Sequence, residues 1–272
     1  MIKVNGQTVS MAVATKDAGW SEGYALGLEE GKAQGAFVSS ASYIAFAGAS
    51  ADDATYCKNF PNMDLSHVID LHDIFVSNKA VGSIGDIYAP NAVNAYYAFQ
   101  NSSIRSIGKI TFNGGVCTGA FRGAANLESV TFDCRGEITR AYNMFNGCFA
   151  LKKIGGNLAL GTCADILHLF CGCKALVEIE GELDFSAATS TFYVFLNCTA
   201  LEKVGFVPGS IHVETDLCAC GKLNAASRQS IKNGLADLTG QTQQTIKFHS
   251  DVLAKYTDDE IAEMLLKNWA VE

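Results

Sequence analysis

Phenylalanine recurs at near-constant intervals along this chain, and each one heads the same short pattern. Phe145, Cys148, Leu151 and Ile154 sit three apart. Phe170, Cys173, Leu176 and Ile179 repeat the spacing, as do Phe195, Cys198, Leu201 and Val204. Phe121, Ala124, Leu127 and Val130 carry it with Ala in place of Cys. Phe75, Asn78, Val81 and Ile84 follow it more loosely, and Phe99, Ser102, Ile104 and Ile107 follow it with one residue deleted. Leu217, Cys220 and Leu223 form a worn last copy. The steps from Phe75 onward are 24, 22, 24, 25 and 25 residues, then 22 to Leu217. A fixed period in this range constrains the fold to a stack of similar units, a solenoid, in which each covers the open apolar face of its neighbour.

Within a unit, the Phe-x-x-Cys-x-x-Leu part has a three-residue rhythm that suits a turn or short helix. The continuation, as in Leu127, Val130 and Phe132, shifts towards two-residue alternation and predicts a short strand. A second extended piece precedes each Phe, for example Ile138 to Tyr142. Gly136, Gly155, Gly156, Gly161 and Gly181 are expected at corners. Burying each large side chain contributes about 1.5–3 kcal/mol. Ordering the backbone cancels most of that. One unit alone is therefore unstable, and the interfaces between units decide. Cys148, Cys173, Cys198 and Cys220 share one column with Ala124 and are expected to be reduced, buried and structural.

The flanks differ. Residues 1–40 hold a weak alternation (Ile2, Val4, Val9, Met11, Val13) around Asn5-Gly6, a hairpin signal. A stripe of Gly19, Gly23, Gly27, Gly31 and Gly35 follows, with Trp20, Tyr24 and Leu28 beside it. At 3.6 residues per turn the stripe lies along one side of a helix. Each Gly weakens an isolated helix by about 1 kcal/mol relative to Ala. Close approach of a second backbone gives it a use, so this segment is expected to serve oligomerisation or attachment. The alternative is a Gly-rich leader helix. Residues 41–72 are less regular and are expected to cap the stack, with a strand over His67 to Leu71. His67, Asp70, His72 and Asp73 come nearest to a metal or acid–base cluster. On a strand His67 and His72 face opposite sides, which favours polar capping residues. The repeats span 73–223. Residues 224–272 are expected to form a C-terminal cap. It would hold a helix from Asn224 or Ser227 to about Leu238, stopped by Gly240. A strand at Thr245 to Phe248 follows, then a helical turn at Asp251 to Lys255. A capping box at Thr257–Glu260 would precede Ile261, Leu265 and Leu266, and a last strand Trp269 to Val271. The fold class is thus α+β.

The formal charge is −8 over 272 residues, and no basic stripe is visible, so nucleic acid is a poor partner. No apolar run is long enough for a membrane-spanning helix. The first residues lack the pattern of a secretory signal, so the chain, made in the cytoplasm, is expected either to stay there or to leave by another route or as part of a particle. No nucleotide-binding, zinc-protease or serine-hydrolase motif appears. Cys171-x-Cys173 and Cys218-x-Cys220 lack the usual zinc spacing. No catalytic residue, metal or cofactor is expected. The outward residues before each Phe are rich in aromatics: Tyr96, Tyr97, Tyr142, Phe192 and Tyr193. They can either fill space between units or form a binding face for glycan or protein.

The F-x-x-C-x-x-L-x-x-I repeat resembles the BspA-type leucine-rich repeat over about residues 73–223, although the usual proline after the strand is mostly missing. The stretch from Leu223 to Val271 is similar to the tail that follows such repeats in prophage-encoded tail or appendage proteins of Gram-positive bacteria. The resemblance implies a leucine-rich-repeat solenoid in a recognition or adhesion protein of the virion, not an enzyme, and supplies no active-site residue. Its partner would be a bacterial surface glycan or protein, and the N-terminal helix would mount it as a homotrimer. A bacterial cell-surface adhesin or an intracellular scaffold is the alternative.

Overall fold

The structure, a computed structural model, describes residues 62–79 and 81–272, and the strand backbones at 2–4, 7–9, 11–14, 43–46 and 58–60. The stripe Gly19, Trp20, Gly23, Tyr24, Gly27, Leu28 and Gly31 lies outside the described residues.

At the N-terminal end β1 (Ile2–Val4) and β2 (Gln7–Val9) pair antiparallel, with Ile2 opposite Val9 across Asn5-Gly6. Met11 and Val13 do not extend this hairpin. β3 (Met11–Ala14) pairs instead with β4 (Tyr43–Phe46), a strand in a stretch that reads as irregular. Four residues are too few to show alternation, and their partner is distant in sequence. Then come β5 (Lys58–Phe60) and β6 (Met63–Asp64), the second pairing antiparallel with β1. The strand expected over His67 to Leu71 is absent: Asp70 makes a single bridge to Asn94, and the strand falls earlier, at β6.

From here the strands are parallel. β7 (Val81–Ile84) and β8 (Ile87–Ala89) both pair with β9 (Ser106–Phe112), one along each half. β10 (Gly115–Val116) starts a second strip. β11 (Ser129–Cys134) pairs with β9, and β12 (Ile138–Arg140) pairs with β10. β13 (Lys153–Asn157), β14 (Glu178–Leu183) and β15 (Lys203–Phe206) extend the main sheet to the order β15-β14-β13-β11-β9-β8-β6-β1-β2. Ile84 stands opposite Ile107, Val130 opposite Ile154, and Ile154 opposite Ile179, so the aliphatic ends of the repeat units are in register. Single bridges carry the second strip on through Arg140, Asp165 and Ser190. Gly136 and Gly161 lie at corners, as expected. Gly155, Gly156 and Gly181 do not: they lie inside β13 and β14.

The run through each Phe is turn, not helix. Its backbone N–H groups alternate in direction. Those of Met144, Asn146 and Cys148 close local turns onto Ala141, Asn143 and Phe145. Those of Asn143, Phe145 and Gly147 reach Leu167, Leu169 and Cys171 of the next unit. Half of the hydrogen bonds therefore run along the stack, and the helical ladder is never made. The rings follow: Phe75, Phe99, Phe121, Phe145, Phe170 and Phe195 stack with successive centroids 5.3, 5.1, 5.2, 5.8 and 5.7 Å apart.

The thiol column has a reason beyond volume. Cys148, Cys173 and Cys198 each donate from Sγ to the carbonyl of the preceding unit's Phe, at 3.0, 3.2 and 3.2 Å. The nine described cysteines are all free. Ser102 holds the same position in its unit, buried, and its Oγ has no partner. A buried hydroxyl without a hydrogen bond costs about 1–3 kcal/mol. Ser102→Ala, which copies Ala124, should therefore raise stability by about 1 kcal/mol, read as a higher urea midpoint at constant slope. A lower midpoint would show that the hydroxyl is satisfied.

The C-terminal segment closes the sheet edge. In α1 (Ala225–Gly234) the N-cap Asn224 side chain accepts from the Ser227 N–H at 2.9 Å. The helix stops four residues before Leu238, because Leu235 turns extended and bridges Ile211. The Leu238 N–H goes to the Lys267 carbonyl instead. Along the free edge of β15, the N–H groups of Val204 and Phe206 donate to the hydroxyls of Ser227 and Ser230, at 3.0 and 2.8 Å. Two serines one helical turn apart thus stand in for the strand that does not follow. β16 (Thr215–Leu217), β17 (Gln244–Phe248) and β18 (Trp269–Val271) form a separate parallel sheet with α2 (Ser250–Leu253) and α3 (Asp258–Leu266). The capping box of Thr257 and Glu260 is present. On α3 Met264 is buried, Ile261 partly so, and Leu265 and Leu266 are exposed. Among the described residues no helix is long and apolar enough to cross a membrane.

Candidate functional site

The turn run places one backbone feature at the same point of every unit. The residue two before the Phe is left-handed: Asp73, Tyr97, Gly119, Asn143, His168 and Tyr193 have φ of 57, 54, 60, 57, 56 and 58°. These residues lie within the run whose N–H groups alternate between local turns and the next unit. Glycine adopts this conformation freely, and Asn and Asp tolerate it. Other residues lose about 1–2 kcal/mol. Tyr97 and Tyr193 are aromatic where Gly119 shows that none is needed.

The side chains at this position and the one before it form two aromatic groups. In the first, His72 meets Tyr96 edge-on at 5.1 Å, and the rings of Tyr96 and Tyr97 lie 4.0 Å apart. A hydrogen bond with Tyr97 is the main cause that raises the Tyr96 phenol above its usual range. The Tyr97 ring spreads over Gly119, where a Cβ would fall 2.4 Å from its Cε1. In the second group His168 sits at the centre. Tyr142, Phe192 and Tyr193 lie edge-on to it at 6.1, 5.9 and 5.2 Å, and Phe192 and Tyr193 are 3.7 Å apart. Tyr142, Phe192 and Tyr193 are 37, 55 and 42 % exposed, whereas Tyr96 and Tyr97 are half-buried. The structure therefore brings together three of the five aromatics singled out from the sequence. It sets the other two apart and adds His72 and His168. Aligning the units on their Phe places both histidines in the ridge columns, a signal that the aromatic pattern alone passes over.

The ridge can bury and stack, and it carries phenol and imidazole groups that hydrogen-bond. Other chemistry finds little support. Every described thiol is raised by burial, Cys198 to about 12, so these sulfurs stay protonated and poorly nucleophilic. His67 is exposed and the strand that was to order it is missing. His72 Nε2 pairs with Asp73 Oδ2 at 3.2 Å. Burial raises the Asp73 carboxyl, His72 opposes this and Asp70 adds to it. No cluster of His, Cys, Asp and Glu that could hold a metal occurs among the described residues.

Comparison of the chain with protein-family models, curated proteins and solved structures finds no match.

Proposed function

We propose that the chain is a leucine-rich-repeat solenoid of the BspA type that works as a recognition or adhesion module. It is read as non-enzymatic and as a tail or appendage component of a phage, turned towards the bacterial envelope. The stacked phenylalanines and the in-register parallel sheet support the solenoid. The virion setting rests on the resemblance of the repeats and the C-terminal segment. The binding role rests on one observation: Tyr142, Phe192 and Tyr193 gather around His168 in the open, with His168 and Tyr193 on left-handed backbone. Left-handed backbone accepted at Tyr193 for an exposed ring is better explained by a partner than by packing. The glycine-striped segment from Gly19 to Gly31 would mount the module, as a homotrimer.

Purified protein added to Gram-positive cells, intact or stripped of surface glycans, tests this reading. Saturable binding that falls on stripping supports a glycan partner. Binding that survives stripping points to a protein, and its absence on every strain removes the adhesion role. Tyr193→Gly separates binding from packing. At φ 58° glycine relieves strain, so the urea midpoint should hold or rise while cell binding weakens tenfold or more, about 1.4 kcal/mol. A destabilised variant that binds normally would make the ring a packing element.

A further inference from the structure

We infer that the outward face of the main sheet holds a second binding site, a hollow for a short neutral saccharide between Tyr88 and Arg135. It shares no residue with the aromatic ridge. Parallel register lines up Asp64, Tyr88, Thr111 and Asp133 as one row across β6, β8, β9 and β11. Asp86 and Lys109 lie beside that row. Together with Asn62 and Arg135 they border a hollow of about 510 Å³. That is within the usual range for small-molecule sites.

The polar groups are held in place before any ligand arrives. The buried Thr111 hydroxyl donates to Asp133 Oδ2 at 3.0 Å. The Lys109 backbone N–H donates to Asp86 Oδ1 at 2.7 Å, and the Asp86 N–H donates to Asn62 Oδ1 at 2.8 Å. The Arg135 guanidinium reaches back over the Tyr88 ring, 5.4 Å from its centroid, and has no ion pair among the described residues. Each of Asp86 and Asp133 thus has one oxygen held by a hydrogen bond, which fixes the carboxylate. Preorganisation of this kind lowers the cost of binding.

The charges select the ligand. An anion would face Asp64, Asp86 and Asp133, and a simple cation would face Lys109 and Arg135. A polyol suits both signs: its hydroxyls donate to carboxylates and accept from lysine and arginine. The exposed part of the Tyr88 ring, 42 % accessible as a residue, takes the apolar face of a sugar. The sequence conceals this arrangement, because its members are spread from Asn62 to Arg135 and meet only through strand register.

Saturation-transfer NMR on the full chain tests the inference, with methyl glycosides of glucose, galactose, N-acetylglucosamine and rhamnose as probes. At least one should bind saturably, and Tyr88→Ala and Asp86→Asn should each weaken it tenfold or more. Asp86→Asn keeps the side chain's size and its bond from Lys109, so loss of binding there with an unchanged urea midpoint cannot be blamed on unfolding. Phe192→Ala should leave glycoside binding as it was, whatever it does to cell binding, so the hollow and the ridge can fail separately. Binding of none of the four, binding indifferent to both hollow variants, or saturable binding of inorganic phosphate in their place would each overturn the inference.

Discussion

Phe170→Ala is expected to lower the unfolding free energy by about 3–5 kcal/mol. Phe170 is fully buried between two rings of the aromatic stack, 5.8 Å from Phe145 and 5.7 Å from Phe195. Truncation removes its own burial and one face of contact from each neighbour. It also leaves a void that the turn backbone cannot close, because the N–H of Phe170 is tied to Val194 and its carbonyl takes the Cys198 thiol. Domains of this size are stable by only about 5–15 kcal/mol, so the loss is a large share. Each unit relies on its neighbours, and the damage should spread along the stack. An unchanged urea midpoint would mean that the aromatic column does not hold the repeats together.

Gly156→Ala is expected to be comparably severe, at about 2–5 kcal/mol, for a different reason. Gly156 lies inside β13 with φ 75°, paired with Phe132 of β11. A Cβ there would fall 2.0 Å from the Phe132 carbonyl oxygen. The left-handed backbone accounts for about 1–2 kcal/mol of the expected loss. The overlap with rigid backbone adds about 1–3 kcal/mol by forcing two hydrogen-bonded strands apart. Gly209→Ala supplies the control. It has φ 73° and nothing within 4 Å of the added carbon, so only the backbone term should appear. Thermal or urea unfolding of the two variants therefore measures the close approach by difference. Equal losses would show that strand separation contributes nothing.

Gly155 and Gly156 also show how local reading goes wrong. A glycine pair is a turn signal by composition, yet here it lets one strand crowd its neighbour. Leu235 ends α1 early for a similar reason: its bridge to Ile211 outweighs the local preference that would carry the helix to Leu238. On α3 the capping box marks where the helix starts but not which side turns inward. The helix is rolled so that Met264 goes in and both leucines stay out. For the glycine pair and for Leu235, a contact distant in sequence overrode the local signal.

The sequence by itself determined the repeating columns: phenylalanine on phenylalanine, thiol above small residue, aliphatic beside aliphatic in parallel strands. Identical environments recur from unit to unit, so identical residue types recur at a fixed step, and nearest-neighbour packing is written as periodicity. The Asn5-Gly6 hairpin and the Thr257–Glu260 capping box were legible because their partners are a few residues apart. Only the tertiary structure decided what the outward side chains make together. His168 joins Tyr142 to Phe192 and Tyr193, Arg135 reaches Tyr88, and Ser227 and Ser230 finish the edge of β15 through the alignment of one unit on the next. That alignment depends on strand register, and outward residues differ from unit to unit, so they leave no period to read.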